Sequence, residues 1–271
     1  MKTRIISSVV GVILLGIVVC FFNTIVLDIC VALLSVIAAY EMIHCVGLSK
    51  NKTFLFVCLL FSALFSSLYF NIFSALTLLV EFIFAGIVLI FLLADHNSMN
   101  ASDAILCFFA STVIPRAFSI ILLYRQYESP ISYYLLALAF AVAWFNDIFA
   151  LFSGMAFGKH KLCPQISPKK TVEGAIGGVL CDIILCVVIS YFLAPVFELK
   201  INWISLLLFL PIGAVSGIFG DLSASIIKRQ YNIKDYGNIM PGHGGVMDRF
   251  DSWLFVAPLL YIWNIYLPVV G

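Results

Sequence analysis

The sequence predicts an all-α, polytopic integral membrane protein with about nine transmembrane helices and two long polar loops. Of the 271 residues, 63% are hydrophobic and only 11% are charged, and the mean hydropathy is +1.13. Soluble domains instead carry about 25% charged residues. This composition excludes a soluble globular protein, a disordered chain and a nucleic-acid-binding protein with a basic surface.

The nine predicted helices are apolar runs of roughly the ~20 residues that a membrane span needs. Their approximate ranges are 5–22, 25–43, 53–70, 72–93, 102–123, 131–153, 174–194, 202–222 and 252–270. The first run resembles a signal peptide but has no small-x-small cleavage site, so we interpret it as a retained span. We expect about five helices in an N-terminal region, 1–130. A catalytic C-terminal region, 131–271, holds about four helices and the polar loops 154–173 and 223–251.

The distribution of basic residues predicts the orientation. With nine spans, twelve of the 15 Lys and Arg residues fall on the side that holds the N-terminus. Arg125 and Lys200 fall on the other side, and Arg116 lies within the fifth span. Because cytosolic loops carry an excess of Lys and Arg, we expect a cytosolic N-terminus, an external C-terminus and both polar loops in the cytosol. The small size favours a bacterial plasma membrane.

Charged residues within spans are costly to insert, about 2.5–3.5 kcal/mol each. In this sequence they fall at two depths. Asp147, Asp182 and Asp221 lie towards the cytosolic ends of the sixth, seventh and eighth helices. Glu81 and Arg116 lie deeper, at equal depth on consecutive helices. We therefore predict a buried Glu81–Arg116 ion pair with a structural role.

The second polar loop combines carboxylates, cations and glycines. Asp221, Ser225 and Lys228 are spaced i, i+4 and i+7, which places them on one helix face. The glycines of 242–245 permit a tight turn and a close approach to an anion. Asp221 and Asp248 would form a Mg²⁺ site if their two helices bring them together. The cations available for phosphate oxygens are Lys228, Arg229, Lys234 and Arg249.

The first polar loop places two further lysines beside a predicted helix start. Either Ser167-Pro168 or Thr171 is expected to begin the seventh helix, with Glu173 in its first turn. Lys169 and Lys170 would then flank a helix N-terminus, which is a favourable place for phosphate.

A simpler interpretation is that these charges only solvate the loops or bind anionic lipid. Anionic lipid does not require the interleaved carboxylates Asp221, Asp235, Asp248 and Asp251, so their presence favours a phosphate site with a cation. Three roles stay open for His243: it could be a turn residue, a hydrogen-bond donor to phosphate or an acid–base group.

Together these segments resemble the signature of the CDP-diacylglycerol synthase (phosphatidate cytidylyltransferase) family. The similarity covers residues 144–252, and the N-terminal half matches only as apolar spans. Val172 and Met240 depart from the family pattern and change packing more than charge. The matching segments are Ser225-x-x-Lys228-Arg229, Lys234-Asp235, Pro241-Gly242-His243-Gly244-Gly245-x-x-Asp248-Arg249-x-Asp251, Ser167-Pro168-Lys169-Lys170-Thr171-x-Glu173-Gly174, and Asp147 before Phe157-Gly158-Lys159.

The resemblance implies a nucleotidyltransferase of phospholipid biosynthesis that converts CTP and phosphatidate to CDP-diacylglycerol and pyrophosphate with Mg²⁺. The lipid phosphate is already anionic, so such a site has to overcome repulsion between anions. Two metal sites are expected, and the ion in the second site could be divalent or monovalent.

The expected catalytic residues are Asp221, Asp248, Lys228 and Arg249. The expected substrate-binding residues are Lys169, Lys170, Ser225, Arg229, Lys234, His243, Gly244 and Gly245. The expected metal ligands are Asp221 and Asp248, with Asp147 and Asp251 as further ligands or neighbours of ligands.

Two other functions remain open from the sequence. A CTP-dependent polyprenol or lipid kinase would transfer the γ-phosphoryl group and would need a base for a neutral hydroxyl. An ion-coupled transporter would use Asp28, Glu81, Asp147 and Asp182, and inverted repeats would favour it, but the sequence shows none. The expected partners are CTP, phosphatidate, membrane lipid and a second copy in a homodimer, with no nucleic acid.

Overall fold

The computed structural model describes residues 16, 20–68, 74–239 and 244–271. Within these ranges the regular structure is helical apart from one short antiparallel hairpin and an isolated bridge between Ile201 and Val270. The elements are α1 Ile25–Val46, α2 Lys52–Ser67, α3 Ala75–Ala94, α4 Ala101–Leu123, α5 Ile131–Phe157, β1 Lys161–Cys163, β2 Ser167–Thr171, α6 Val172–Val196, α7 Trp203–Gln230, α8 Met247–Phe250 and α9 Trp253–Tyr266.

The predicted fold class is confirmed: the protein is an all-α, polytopic membrane protein. In the described part of the chain, six helices are long and apolar enough to cross a membrane, namely α1 and α3 to α7. The helices α2 and α9 are apolar but shorter. The total of nine spans stays a prediction, and most of the first predicted span, 5–22, lies outside the described residues.

Large apolar side chains on α3 and α6 are exposed, although both helices are strongly hydrophobic. Only 17% of the apolar window of each helix is buried within the chain. Phe82 on α3 is 81% exposed, and Phe192 on α6 is 66% exposed. Surfaces of this kind are typical of helices that contact lipid rather than water.

Several helix starts carry a polar cap that the sequence places just before an apolar run. The side chains of Asn51, Ser74 and Thr171 accept hydrogen bonds from backbone amides in the first turns of α2, α3 and α6. Each cap satisfies one donor that a helix otherwise leaves unpaired. Of the two predicted starts of the seventh helix, Thr171 is confirmed, whereas Ser167-Pro168 lies in β2.

The chain folds as two compact units. The first contains Met1–Leu123 and Gln230–Arg249, and the second contains Tyr124–Arg229 and Phe250–Gly271. The second polar loop is therefore shared between the units. The predicted division into regions 1–130 and 131–271 concerned where catalysis resides, and it stays a prediction.

The core of the first unit is rich in aromatic rings and contains the predicted ion pair. Phe61 and Phe84 stack with their ring centroids 4.5 Å apart. Arg116 on α4 forms the predicted salt bridge with Glu81 on α3, although both side chains are only partly buried. The Arg116 guanidinium also lies 5.1 Å from the centroid of the Phe65 ring, so a cation–π contact accompanies the salt bridge.

In the second unit, α5 and α6 pack closely through small residues. A Cβ on Gly174 would come within 2.7 Å of the Ala150 carbonyl oxygen, and a Cβ on Gly178 within 2.9 Å of the Asn146 carbonyl oxygen. Glycine is needed at both positions because no larger residue fits against the α5 backbone. Close approach through small residues is the usual mode of helix packing in membranes, and here it fixes Asp147 on α5 near the start of α6.

Candidate active site

Three charged residues that the sequence singled out meet in the second unit. The Lys170 ammonium on β2 forms a salt bridge with Asp221 on α7. The same Nζ atom lies 3.7 Å from Oδ1 of Asp147 on α5. Asp147 Oδ2 accepts a hydrogen bond of 3.0 Å from the Ser252 hydroxyl. One ammonium thus bridges two carboxylates that come from different helices.

Two glycines of α7 bring the segment before α9 into this cluster. A Cβ on Gly220 would overlap the carbonyl oxygen of Asp251, and a Cβ on Gly217 would lie 3.6 Å from the Ser252 Cβ. Because neither glycine carries a side chain, the backbone at 251–252 packs directly on the helix that presents Asp221. The close packing explains how residues far apart in the chain reach the same place.

Asp251 is a buried carboxylate near the charged side chains of Asp147, Lys228 and Lys170. Its exposure is 8%, and its Oδ1 accepts a 2.9 Å hydrogen bond from the Ser252 amide. Burial and, next, the neighbouring charge of Asp147 raise its pKa to about 6, although Lys228, the Ser252 amide and Lys170 act in the opposite direction. A raised carboxyl pKa of this origin means that additional positive charge would be favourable here.

The carboxylates of this cluster fit a magnesium ion by their chemistry. Mg²⁺ prefers hard oxygen ligands and is usually held by one or two protein carboxylates together with substrate phosphates. Asp147, Asp221 and Asp251 supply such oxygens around the Lys170 ammonium. Over the described ranges, however, no group of three or more His, Cys, Asp and Glu side chains is placed so that it could hold a metal ion by itself. Further ligands would therefore have to come from water or substrate.

The helix α7 continues two turns beyond the predicted end at residue 222. Ser225 and Lys228 therefore lie on a helix with Asp221, as their spacing requires, and both are buried, with 8% exposure. Arg229 follows, and its Nε donates a 3.2 Å hydrogen bond to the Ile166 carbonyl in the β1–β2 turn. The end of α7 is thereby tied to the hairpin that carries Lys169 and Lys170.

Glu173 organises the loop that precedes the hairpin. Its carboxylate accepts hydrogen bonds from the backbone amides of Lys159 and His160, at 3.0 and 3.1 Å. Its Oε1 also lies 2.5 Å from the His160 Nδ1. An open cavity of about 470 Å³ borders this loop and is lined by Phe157, Lys159 and Glu173 among others. Glu173 therefore lies in the first turn of its helix, as predicted, and it also holds the 159–160 loop through hydrogen bonds.

In the first unit, Asp248 is fixed by the turn that precedes it. Its Oδ2 accepts hydrogen bonds from the amides of Tyr236, at 2.8 Å, and Gly245, at 3.0 Å. Gly244 has φ +85°, a conformation that glycine adopts without strain. Asp248 is 8% exposed. The backbone amides of Tyr236 and Gly245 therefore hold the carboxylate that was predicted to bind metal.

Glu41 is a buried residue of this region that the sequence interpretation missed. It lies on α1, is 2% exposed and accepts hydrogen bonds from the amides of Val246 and Met247, at 3.0 and 2.9 Å. The only local signal was a single acid at the end of an apolar run. Its partners lie more than 200 positions away, so no spacing pattern could reveal them.

The other predicted site residues have mixed outcomes. Lys169, Lys234 and Arg249 are exposed, and their roles stay predictions. His243 and Gly242 lie outside the described residues. Asp221 and Asp248 belong to different units, so the prediction that they share a bound ion also stays a prediction.

Comparison with known proteins gives a consistent result. The model of the cytidylyltransferase family matches residues 2–267. A phosphatidate cytidylyltransferase of Thermotoga maritima is 33% identical over 267 residues, which cover 97% of this chain and 95% of that protein. Its counterpart in Staphylococcus haemolyticus is 39% identical over 176 residues, 65% of either chain. That of Bacillus subtilis is 49% identical over 123 residues, 45% of this chain and 44% of the relative.

Proposed function

Because the chain belongs to the cytidylyltransferase family, we propose that it is a phosphatidate cytidylyltransferase. It would transfer the cytidylyl group of CTP to phosphatidate and so form CDP-diacylglycerol and pyrophosphate. The proposal rests on one observation above all: carboxylates of α5 and α7, the Lys170 ammonium of β2 and the Ser252 hydroxyl before α9 meet in the second unit of a membrane protein.

The chemistry suits this arrangement of charges. A phosphate oxygen of the lipid attacks the α-phosphorus of CTP, a new P–O bond forms, and the bond to the leaving pyrophosphate breaks. The nucleophile is already an anion, so the main requirement is to hold two anions together and to stabilise the charge that develops. Lys170 and Lys228 would contribute positive charge, and Ser225, on the same helix as Lys228, would be a phosphate donor.

Mg²⁺ is part of the proposal. Asp147, Asp221 and Asp251 would hold it in the second unit, and Asp248 is proposed as a metal ligand from its residue type and its burial in the first unit. When bound, the ion would neutralise phosphate charge and polarise the reacting phosphoryl group. A second cation, divalent or monovalent, and the phosphate-binding roles of Lys169, Arg229, Lys234, His243, Gly244, Gly245 and Arg249 are proposed with it.

The apolar helices also support a membrane-bound substrate. Phosphatidate would keep its acyl chains in the bilayer, beside the exposed apolar faces of helices such as α6, while its headgroup reaches the charged cluster. We propose a bacterial plasma membrane, a cytosolic N-terminus and active site, an external C-terminus and a homodimer. The positive-inside distribution supports the orientation.

The test is an assay of the protein purified in detergent with CTP labelled at the α-phosphate, phosphatidate and Mg²⁺. We expect labelled lipid and equimolar pyrophosphate. Asp221→Asn should lower kcat/KM on the order of 10²–10³-fold, as losses of electrostatic stabilisation do. The exposed Asp95→Asn is the matched control. Formation of CDP with a phosphorylated alcohol would instead identify a kinase and refute the proposal.

A further inference from the structure

We propose that Glu41 is a positioning residue that holds the Gly244–Met247 turn and thereby orients Asp248. This role concerns the same site as the proposed function. The comparisons and the sequence motifs left Glu41 without a role, although it is among the most deeply buried charged side chains described, with 2% exposure.

The first argument is the geometry of the Glu41 carboxylate. Oε1 accepts the Val246 amide at 3.0 Å, and Oε2 accepts the Met247 amide at 2.9 Å. These two amides lie where the short helix α8 begins, and the first amides of a helix have no partner within it. Each carboxylate oxygen thus has its own backbone donor, which fixes both the position and the tilt of the turn.

The second argument is the packing of two glycines on the same carboxylate. A Cβ on Gly237 or on Gly245 would overlap the Glu41 side chain. The loop therefore lies against the Glu41 carboxylate at two positions, Gly237 and Gly245, where an added side chain would push the carboxylate aside. A buried acid that was merely tolerated would not need this close backbone contact on two sides.

The third argument links Glu41 to Asp248 through Gly245. The Gly245 α-carbon lies against Glu41, whereas the Gly245 amide donates a 3.0 Å hydrogen bond to Asp248 Oδ2. A shift of the turn away from Glu41 would therefore move a donor that holds the Asp248 carboxylate. Tyr231 provides a separate tether, because its hydroxyl donates a 2.5 Å hydrogen bond to Asp103, so loss of Glu41 should release the turn without detaching the whole segment.

The test compares Glu41→Gln with the wild type in detergent. Glutamine keeps the length but replaces one acceptor with an NH₂ group that faces a backbone N–H. We expect amide hydrogen exchange in a peptide covering 244–250 to be about tenfold or more faster, as for the loss of a hydrogen bond to a charged group. We also expect the Mg²⁺ concentration for half-maximal activity to rise about tenfold, since ligands depend on their supporting hydrogen bonds to that extent.

Glu128→Gln, at an exposed carboxylate, is the matched control and should change neither quantity. Unchanged exchange in Glu41→Gln would show that Glu41 does not hold the turn. Faster exchange with an unchanged Mg²⁺ requirement would mean a structural tether without influence on Asp248, and would also overturn the proposal. If Glu41→Gln does not fold, Glu41→Asp replaces it in both measurements, the amide exchange and the Mg²⁺ requirement. Aspartate keeps the charge but is shorter by one methylene, so it should also release the turn.

The two proposals fail in different ways. If the wild type forms no cytidine-containing lipid, the proposed function is wrong. The exchange measurement, which needs no activity, then decides alone whether Glu41 holds the turn.

Discussion

Replacement of Asp251 by asparagine should stabilise the protein at neutral pH. The carboxyl is buried, and burial together with the charge of Asp147 raises its pKa from the ordinary 3.8 to about 6. Each pKa unit corresponds to about 1.4 kcal/mol, so ionising Asp251 in the folded protein costs about 3 kcal/mol. The asparagine side chain would keep an acceptor for the Ser252 amide and remove the charge.

The sign of the pH dependence follows from proton binding. Between about pH 4 and pH 6 the folded protein keeps the Asp251 proton, whereas the unfolded chain has released it. Stability therefore falls as the pH rises through this interval, and the full cost is present above about pH 6. Asp251→Asn should be more stable than the wild type at pH 7, and the difference should vanish near pH 4.

Thermal unfolding of the purified protein in detergent, measured from pH 4.5 to pH 7.5, tests this expectation. A stabilisation of about 3 kcal/mol corresponds to roughly 5–10 °C in the unfolding temperature. Mg²⁺ should raise the unfolding temperature of the wild type at pH 7, because a cation compensates the carboxylates, and should have a smaller effect on Asp251→Asn. Asp95→Asn, at an exposed position, should follow the wild type.

Parallel profiles for the wild type and Asp251→Asn would refute the reasoning. They would show that Asp251 does not hold a proton in the folded protein over this interval. The argument that burial and the Asp147 charge make additional positive charge favourable at Asp251 would then lose its support.

Two further predictions concern the packing of the spans. Gly178→Leu should separate α5 from α6, because even a Cβ would lie 2.8 Å from the Ala150 side chain; we expect loss of the monodisperse species in size-exclusion chromatography, and a normal elution profile would contradict it. Gly86→Leu is the control, since a Cβ there meets nothing within 4 Å. Either Glu81→Gln or Arg116→Met alone should lower the unfolding temperature more than the two together, because a single change leaves a charge in the span without its partner; additive losses in the double variant would refute this.

The sequence predicted the helices well because an apolar run of span length has few alternatives to a helix. It placed the end of α7 too early, since the polar residues Ser225, Lys228 and Arg229 resemble a loop by hydropathy. The correct signal was the helical spacing of Asp221, Ser225 and Lys228, which the structure confirms as one continuous helix. Periodicity was more informative than polarity at this boundary.

The hairpin and the Lys170–Asp221 salt bridge were not predictable in the same way. The strands β1 and β2 have three and five residues, too few for an alternating pattern, and the hairpin is held partly by the contact of Arg229 with its turn. Lys170 was predicted to bind phosphate from its place before a helix. Its salt bridge with Asp221 depends on how α5, α6 and α7 pack, and no local pattern of residues encodes that.

The glycines of the second unit explain how mutually repelling carboxylates are kept together. Between helices in lipid, the hydrophobic effect provides little attraction, and close packing of small residues takes its place. Gly174 and Gly178 bring α6 onto α5, while Gly217 and Gly220 bring the 251–252 backbone onto α7. The carboxylates are thus positioned by backbone packing and not by attraction to one another. Backbone packing of this kind brings the carboxylates near one another before any cation or phosphate group binds.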